Sequence, residues 1–447
     1  MHEKKHPSRR EFIVKSALGA AGLFLTTSWL SSCGKEHAKK MGLPPLLDKA
    51  PDGRKIKAGL VGCGGRGTGA AIDFLQAGPN LEISAMGDVF SDKLSASRKK
   101  IEQQTGQKVA EDTCFLGFDA YKKVIQSQVD VVILATPPYF RPLHFAACVN
   151  AHKHVFMEKP LGVDPAGIRS VIASARRADN LGLTVITGTQ KHHNKNYLEA
   201  YKRIARGDIG SIVAANCYYN MGQLWYKKRK PQWSDMEYML RDWVNWSWLS
   251  GDHITEQHIH SIDAINWFMG GKFPLQATGM GARQQRVTGD QYDQFNVDFV
   301  YEGNVHLHSM CRQINGCSNQ ISEFIRGTEG YSDCRTYIAR ADGEKTWSQR
   351  SSDQEDSKKN NPYVQEHIYL VSSIRKNKPV NVAEFTAKST LSAIMGRISA
   401  YTGKTVTWKD TMNSNLRLGP EGGPEALRSL GPSKLIEAQV PVPGSSA

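Results

Sequence analysis

Between residues 55 and 190 the apolar positions fall into short unbroken runs separated by segments with helical spacing. The runs are Ile56–Val61, Leu81–Met86, Val129–Ala135, Val155–Met157 and Leu183–Thr187. Continuous runs of branched and aliphatic residues predict strands buried on both faces, as in a parallel sheet. Thr68–Leu75, Ser91–Gln103, Phe118–Ser127, Arg141–Asn150 and Pro165–Leu181 carry the spacing of helices. Strand and helix in alternation predict an open α/β layer.

After Asn194 the pattern changes. A helix over Tyr197–Arg206 precedes longer β-like runs: Ser211–Asn220, Gln276–Gln285, Asp293–Tyr301, Asn304–Cys311, Glu323–Gly327 and Tyr331–Arg335. An aromatic-rich insertion, Met221–Trp267, separates the first two of these runs. Two helices, Tyr363–Lys376 and Thr386–Thr402, and a polar Gly/Pro-rich tail close the chain. The expected fold class is α/β joined to α+β. It comprises an N-terminal Rossmann domain over 55–190, a C-terminal domain with a large open, mainly antiparallel sheet over 191–410, and a tail over 411–447. A length of 447 residues agrees with two domains.

One stretch organises the first domain. The run Ile56–Val61 leads into GCGGRG at Gly62–Gly67, then a helix, then a second run ending on Asp88. Strand, glycine turn, helix, strand and acid in this order form the dinucleotide-binding fingerprint. Gly62 permits the tight turn, Gly64 and Gly65 let backbone approach a pyrophosphate with Arg66 beside them, and Gly67 lets helix pack on strand. The free N–H groups of the helix face the phosphates. Asp88 lies where a carboxylate accepts ribose hydroxyls. It is followed by Val89-Phe90 rather than Arg or Lys, which favours NAD over NADP. Thr136-Pro137 and His144 follow the next crevice strand, and Glu158-Lys159 and Gln190 end later ones. These too are expected around the cofactor, because ligands of open α/β sheets bind at the carboxyl ends of the strands.

The N-terminus reads as an address. Residues 8–15, SRREFIVK, resemble a twin-arginine export signal, and Leu30-Ser31-Ser32-Cys33 resembles a lipobox. Residues 1–33 are therefore expected to direct export to the periplasm with a lipid anchor at Cys33, and 34–54 to form a tether. Twin-arginine export moves folded proteins, which suits a chain loaded with a dinucleotide.

The formal charge of +14 is uneven: residues 1–40 hold eight Lys/Arg and three Asp/Glu. No basic run interleaved with aromatics suggests nucleic acid in the body of the chain. The eight cysteines form no CxxC pair, which disfavours a zinc cluster, although Cys311 and Cys317 are close enough in sequence to pair in an oxidising compartment.

With the fingerprint, a β-rich second half, Glu158-Lys159-Pro160 after the fifth strand and the ending GRISAYTGKTVTW at Gly396–Trp408, the chain resembles the Gfo/Idh/MocA oxidoreductases. That family joins glucose–fructose oxidoreductase, inositol dehydrogenase and a rhizopine-catabolism protein. The resemblance implies oxidation or reduction of a ring C–OH of a sugar or cyclitol with NAD or NADP, and a homo-oligomer formed through the open sheet. It implies a catalytic role for Lys159. The family's Asp-x3-His motif matches Glu256-Gln257-His258-Ile259-His260, making His260 the implied catalytic histidine and Glu256 a longer-armed acid.

Read by chemistry alone, hydride transfer from an alcohol needs a base for the proton and a donor for the developing alkoxide. His260 supplies a base expected near neutral pH, and Lys159 a donor or base. Glu256 and His260, four apart, would share a helical face, so the carboxylate could orient the imidazole. His253, Glu256, His258 and His260 also form a cluster of metal-ligating types, but their spacing matches no zinc motif, and the expectation is no metal. Asp263, His258 and His193 are expected to contact substrate. So are Trp225, Trp243 and Arg241 in the insertion, because aromatic faces stack on pyranose rings while polar groups take hydroxyls. About half of the insertion's tryptophans are expected in the core.

Three readings of function follow. The first is an exported oxidoreductase of a carbohydrate or glycoside ring C–OH with tightly held NAD. The second is an NAD-dependent glycoside hydrolase that oxidises C3, eliminates the aglycone, adds water and reduces the ketone again. The third is a non-enzymatic, cofactor-bound binding lipoprotein, which leaves Lys159 and His260 without a purpose.

Overall fold

A computed structural model describes residues 43–349 and 360–444. The export signal, Cys33 and the start of the tether lie outside the described residues. Six parallel strands form the first sheet: β1 (Ile56–Val61), β2 (Leu81–Asp88), β3 (Cys114–Leu116), β4 (Val131–Leu134), β5 (His154–Met157) and β6 (Val185–Thr187). Their order is β3-β2-β1-β4-β5-β6. The chain reverses its direction of growth at β1, between β2 and β4, which places a ligand crevice above β1. Strands β1, β4 and β5 are almost wholly buried, as their unbroken apolar runs require.

The second sheet has nine strands in the order β14-β13-β12-β11-β7-β10-β9-β8-β15. They are β7 (Ile212–Met221), β8 (Gln276–Ala282), β9 (Gln294–Tyr301), β10 (Val305–Gln313), β11 (Gln320–Gly327), β12 (Gly330–Ser332), β13 (Tyr337–Arg340), β14 (Lys345–Ser348) and β15 (Val406–Thr407). Pairing is antiparallel except between β7 and β10. Alternation of buried and exposed positions on β9 and β10 shows one covered face.

The closing helices do not follow the expected division into 55–190 and 191–410. Pro362–Arg375 buries Ile368, Leu370 and Val371 with Ile56, Leu60 and Phe156 of the first sheet. Ala383–Thr402 buries Ala387, Leu391 and Ile394 against Val132, Val155 and Val185 on its other face. The first sheet is thus covered by segments separated from it in the chain by eight of the nine strands of the second sheet. Both sheets belong to one compact unit beginning at Pro44.

Two further expectations change. The described part of the tether is docked: Gln365 Nε2 donates to Leu47 O at 2.6 Å, and Ala50 is buried beside Ala77. The tail is also docked, since Leu427 is buried with Phe90, Tyr139, Met236 and Trp248. The seven described cysteines are free thiols; Cys311 is buried while Cys317 is exposed. No described helix is long and apolar enough to cross a membrane.

Candidate active site

The glycine turn sits where β1 meets the helix Gly65–Gln76. Gly62 has φ +96°, and a Cβ there would lie 2.6 Å from Ala135 C and Thr136 N, so only glycine fits. A Cβ on Gly67 would meet Gly62 O at 1.9 Å, which fixes its role in packing helix on strand. Gly64 and Gly65, by contrast, face open space. That space is the mouth of a cavity of about 680 Å3 running from Asp88, Phe90 and Tyr121 to Lys159, Glu256 and His260.

Most residues expected around a dinucleotide line this cavity: Gly62, Gly64, Gly65, Arg66, Asp88, Thr136, Pro137, His144, Glu158, Lys159 and Gln190. Asp88 accepts N–H bonds from Cys63 at 2.6 Å and Phe90 at 2.8 Å, tying its carboxylate to the turn. Burial raises its pKa and these donors oppose the shift. Arg66 turns its guanidinium to Glu158 Oε1 at 2.5 Å and to Asp73. His144 stacks on Tyr121 at 4.2 Å, and burial holds its pKa down at about 3, so it is neutral. Gln190 Oε1 is buried without a protein partner, an acceptor left for a bound group. Open glycines, a tethered carboxylate and this free acceptor along one cavity fit a dinucleotide.

At the other end, Lys159 Nζ donates to Glu256 Oε1 at 2.9 Å and to Glu256 O at 2.5 Å. Gln257 Nε2 donates to Glu256 Oε2, and Tyr219 OH donates to Gln257 Oε1 at 3.1 Å. Lys159, Glu256, Gln257, Tyr219 and His260 therefore form one wall. The loops after β4 and β5 that carry this end are joined by Arg141, which donates to Thr136 O at 2.7 Å and Pro160 O at 2.5 Å. Tyr219, Gln257, Arg141 and Tyr363 on this cavity were not anticipated. Strand alternation puts Tyr219 on a definite face, but nothing local brings Tyr363 here from a helix 200 residues beyond Lys159.

Several expectations are corrected. Glu256 does not orient His260, because His253–Glu256 and Ile259–Phe268 are two helices broken at Gln257-His258. The i,i+4 geometry is lost, and Glu256 serves Lys159 instead. His260 is not poised near neutral pH: burial, then the Lys159 ammonium, push it well below 6.5. His258, Asp263 and His193 are buried away from the cavity. His258 Nε2 is 2.7 Å from Ser309 Oγ, Asp263 takes His192 at 2.6 Å, and His193 packs beside Tyr369. With His253 also turned into the core, among the described residues no group of side chains converges as a metal site.

Trp225 and Trp243 line the cavity, in edge-to-face contact at 6.2 Å. Trp246, Trp248 and Trp267 are core. Arg241 reaches the cavity at its Asp88 end rather than the Lys159 end. Its guanidinium stacks on Phe90 at 3.9 Å, bonds Asp92 at 3.1 Å and takes Glu237 at 2.8 Å. Lys93 lines the same end, so cations do stand near Asp88, but that of Arg241 is matched by two carboxylates. The helix Asp235–Arg241 is held there by the tail: Ser433 N donates to Asp235 Oδ2 at 3.0 Å and Met236 N to Gly431 O at 3.1 Å.

Comparisons with known proteins agree with this architecture. A model described as "Oxidoreductase family, NAD-binding Rossmann fold" matches residues 56–187, and one described as "GFO/IDH/MocA C-terminal domain" matches 197–332. Myo-inositol 2-dehydrogenase of Thermotoga maritima is 23% identical over 215 residues, 48% of this chain and 55% of that protein. A glycosyl hydrolase family 109 protein of Shewanella pealeana is 23% identical over 224 residues, 49% of this chain and 48% of that one. The chain spans about half the length of the curated relatives it matches. The crystal structure of scyllo-inositol dehydrogenase from Lactobacillus casei with bound NAD(H) and scyllo-inositol superposes with TM-score 0.59 at 20% identity, covering 79% of this chain and 99% of that one. At that identity the likeness concerns the fold.

Proposed function

The chain belongs to the Gfo/Idh/MocA family of NAD-binding oxidoreductases, and on that premise we propose that it oxidises or reduces a ring C–OH of a carbohydrate or glycoside with NAD held as a prosthetic group. The observation that carries the reading is the Lys159–Glu256 pair on the wall of the same cavity as the glycine turn.

An ammonium has three donors, and Glu256 takes two of those of Lys159, leaving the third for a substrate oxygen. Held in an ion pair, Lys159 stabilises negative charge developing on that oxygen. His260, kept neutral by burial and by Lys159, has a ring nitrogen free to accept the hydroxyl proton. The Tyr219–Gln257–Glu256 chain fixes the carboxylate that fixes the lysine. When bound, NAD supplies the hydride acceptor.

The same reading places the protein outside the cytoplasm, exported through residues 8–15 and anchored at Cys33, acting as a homo-oligomer. Large apolar side chains exposed on the nine-stranded sheet, Val213, Met280 and Ile321, support pairing of copies. Tight retention of NAD is supported by the insertion helix and tail folded over the Asp88 end.

The test is purification without added nucleotide, mass spectrometry of what denaturation releases, and incubation with chromogenic glycosides. Bound NAD and a keto-sugar that needs an electron acceptor are expected. Aglycone release with no net redox change would replace this reading by redox-neutral glycoside hydrolysis, for which the family 109 likeness provides a precedent. Absence of any nucleotide would defeat both.

A further inference from the structure

Beyond the nucleotide and the Lys159 pair, the lip of the cavity carries a concentration of chemistry that neither uses. Residues 225–230 read WYKKRK. Trp225 and Tyr226 are 44% and 43% exposed, although aromatics of this size normally bury most of their surface. Of the four cations, Arg229 is matched by Asp235 at 2.8 Å. Lys227, Lys228 and Lys230 have no carboxylate partner among the described residues. The nearby acids are engaged: Glu237 with Arg241, Asp235 with Arg229, and Asp242 with the Lys227 N–H and Asn245. Lys227 lines the cavity with its ammonium 5.8 Å from the Trp225 ring, and Lys230 stands 5.2 Å from the Trp233 ring.

The place of this lip in the fold gives it a direction. Strand β7 carries Tyr219 at the reacting end, and the chain runs from there through Leu224 and Trp225, both on the cavity wall, to the lysines. Trp225 and Lys227 share the cavity with Lys159, which makes them available to the residue next to a ring that enters beside Lys159. An exposed indole stacks on the C–H face of a pyranose, and unpaired ammonium groups beside it favour a carboxylate or sulfate on that ring. A neutral sugar gains nothing from these exposed ammonium groups, whereas an anionic one gains their attraction.

We propose that this lip selects an anionic glycan, in which a sugar bearing a carboxylate or sulfate sits next to the residue whose ring C–OH enters the cavity. The inference rests on the carbohydrate reading above and adds the charge of the substrate to it.

The test uses the full-length, NAD-loaded protein and isothermal titration with cellotetraose, its C6-carboxylate counterpart and its C6-sulfate counterpart. At low salt the acidic tetrasaccharides are expected to bind roughly tenfold more tightly than the neutral one, because rim charges act mainly through salt-sensitive attraction. That preference is expected to shrink as salt rises to about 0.5 M. It is also expected to disappear in Lys227→Gln/Lys228→Gln/Lys230→Gln with nucleotide content intact. The carboxylate and sulfate arms tell which anion is preferred. Equal affinity for charged and neutral chains, no binding of any of them, or a preference that survives both salt and the triple variant would overturn the proposal. A triple variant that loses NAD would assign the lysines to the nucleotide and overturn it too. Turnover separates this from the reading beneath it. A protein that binds acidic chains but forms no keto-sugar overturns the oxidoreductase reading alone. One that oxidises sugars regardless of charge overturns only the anionic lip.

Discussion

Lys159 and Glu256 are 97 residues apart in the chain and 2.9 Å apart in space. The lysine lies two residues beyond a strand of the first sheet, and the glutamate ends a short helix of the insertion. Their ion pair is where the two halves of the molecule meet in the cavity, so the lysine of one half is held by the other.

Removing either partner should separate chemistry from cofactor binding. Lys159→Ala is expected to lower turnover by about 10²- to 10⁴-fold, the range for a positioned proton-transfer or donor group. Glu256→Gln keeps the shape but not the charge and should cost roughly 10- to 100-fold, as loss of an outer partner does. Both variants should still release NAD on denaturation. Full activity of Lys159→Ala would remove it from the mechanism.

The glycines divide by what a methyl group would meet. Gly64→Ala enters space that is open in the protein, so the variant should melt where nucleotide-free wild type does while nucleotide binding is lost. Gly67→Ala drives a Cβ into Gly62 O and should lose both. Calorimetry beside nucleotide content distinguishes the two patterns, and a Gly64→Ala protein that keeps its NAD would contradict this placement of the pyrophosphate.

His258 gives a pH signature. Burial holds its pKa at about 3 in the folded protein, while in the unfolded chain it protonates near its ordinary 6.5. Its contribution is therefore present at high pH and is lost as pH falls through about 6.5. Between pH 7.5 and pH 6 it should lower the unfolding free energy by on the order of 1 kcal/mol. The difference between wild type and His258→Gln in urea unfolding at the two pH values isolates this from other groups that titrate. No change in that difference would mean that the imidazole titrates in the native state as it does in the unfolded chain.

Arg241 should govern how long the nucleotide stays. Its stacking on Phe90 and its bonds to Asp92 close the Asp88 end of the cavity. Because Asp92 is largely exposed, the ion pair itself is weak, and the ring contact carries much of the effect. Arg241→Ala is expected to speed NAD loss during dialysis several-fold. Unchanged retention would place the barrier to release elsewhere.

Five of the six strands of the first sheet were legible because their signals are local; the three-residue edge strand β3, Cys114–Leu116, was not. Unbroken apolar runs, the GCGGRG turn and the acid at Asp88 each fix their own short segment. Lys159 and His260, which share one cavity wall, could be singled out because each sits in a motif matched within a few residues. What could not be read depends on the remainder of the chain. The break at Gln257-His258, which transfers Glu256 from His260 to Lys159, turns on tertiary packing rather than on helical spacing. His258, Asp263 and His193 carry chemistry-bearing groups, yet ordinary hydrogen bonds and ring contacts in the core absorb them. The short strands β12, β13 and β14 are set by their neighbours more than by their own composition, and Tyr337–Arg340 and Lys345–Ser348 went unanticipated.

The helices Pro362–Arg375 and Ala383–Thr402 cover opposite faces of the first sheet, and this has a consequence for biosynthesis. A chain still emerging from the ribosome exposes Phe156, Val155 and their neighbours until nearly all of it has been made. The nucleotide-binding half, although encoded first, is completed late, so loading of the cofactor is expected to follow synthesis of both helices. Any product cut short before these helices is left with bare apolar sheet faces and is marked for chaperones or proteolysis. Possession of the nucleotide would thereby mark a chain made at least through Thr402.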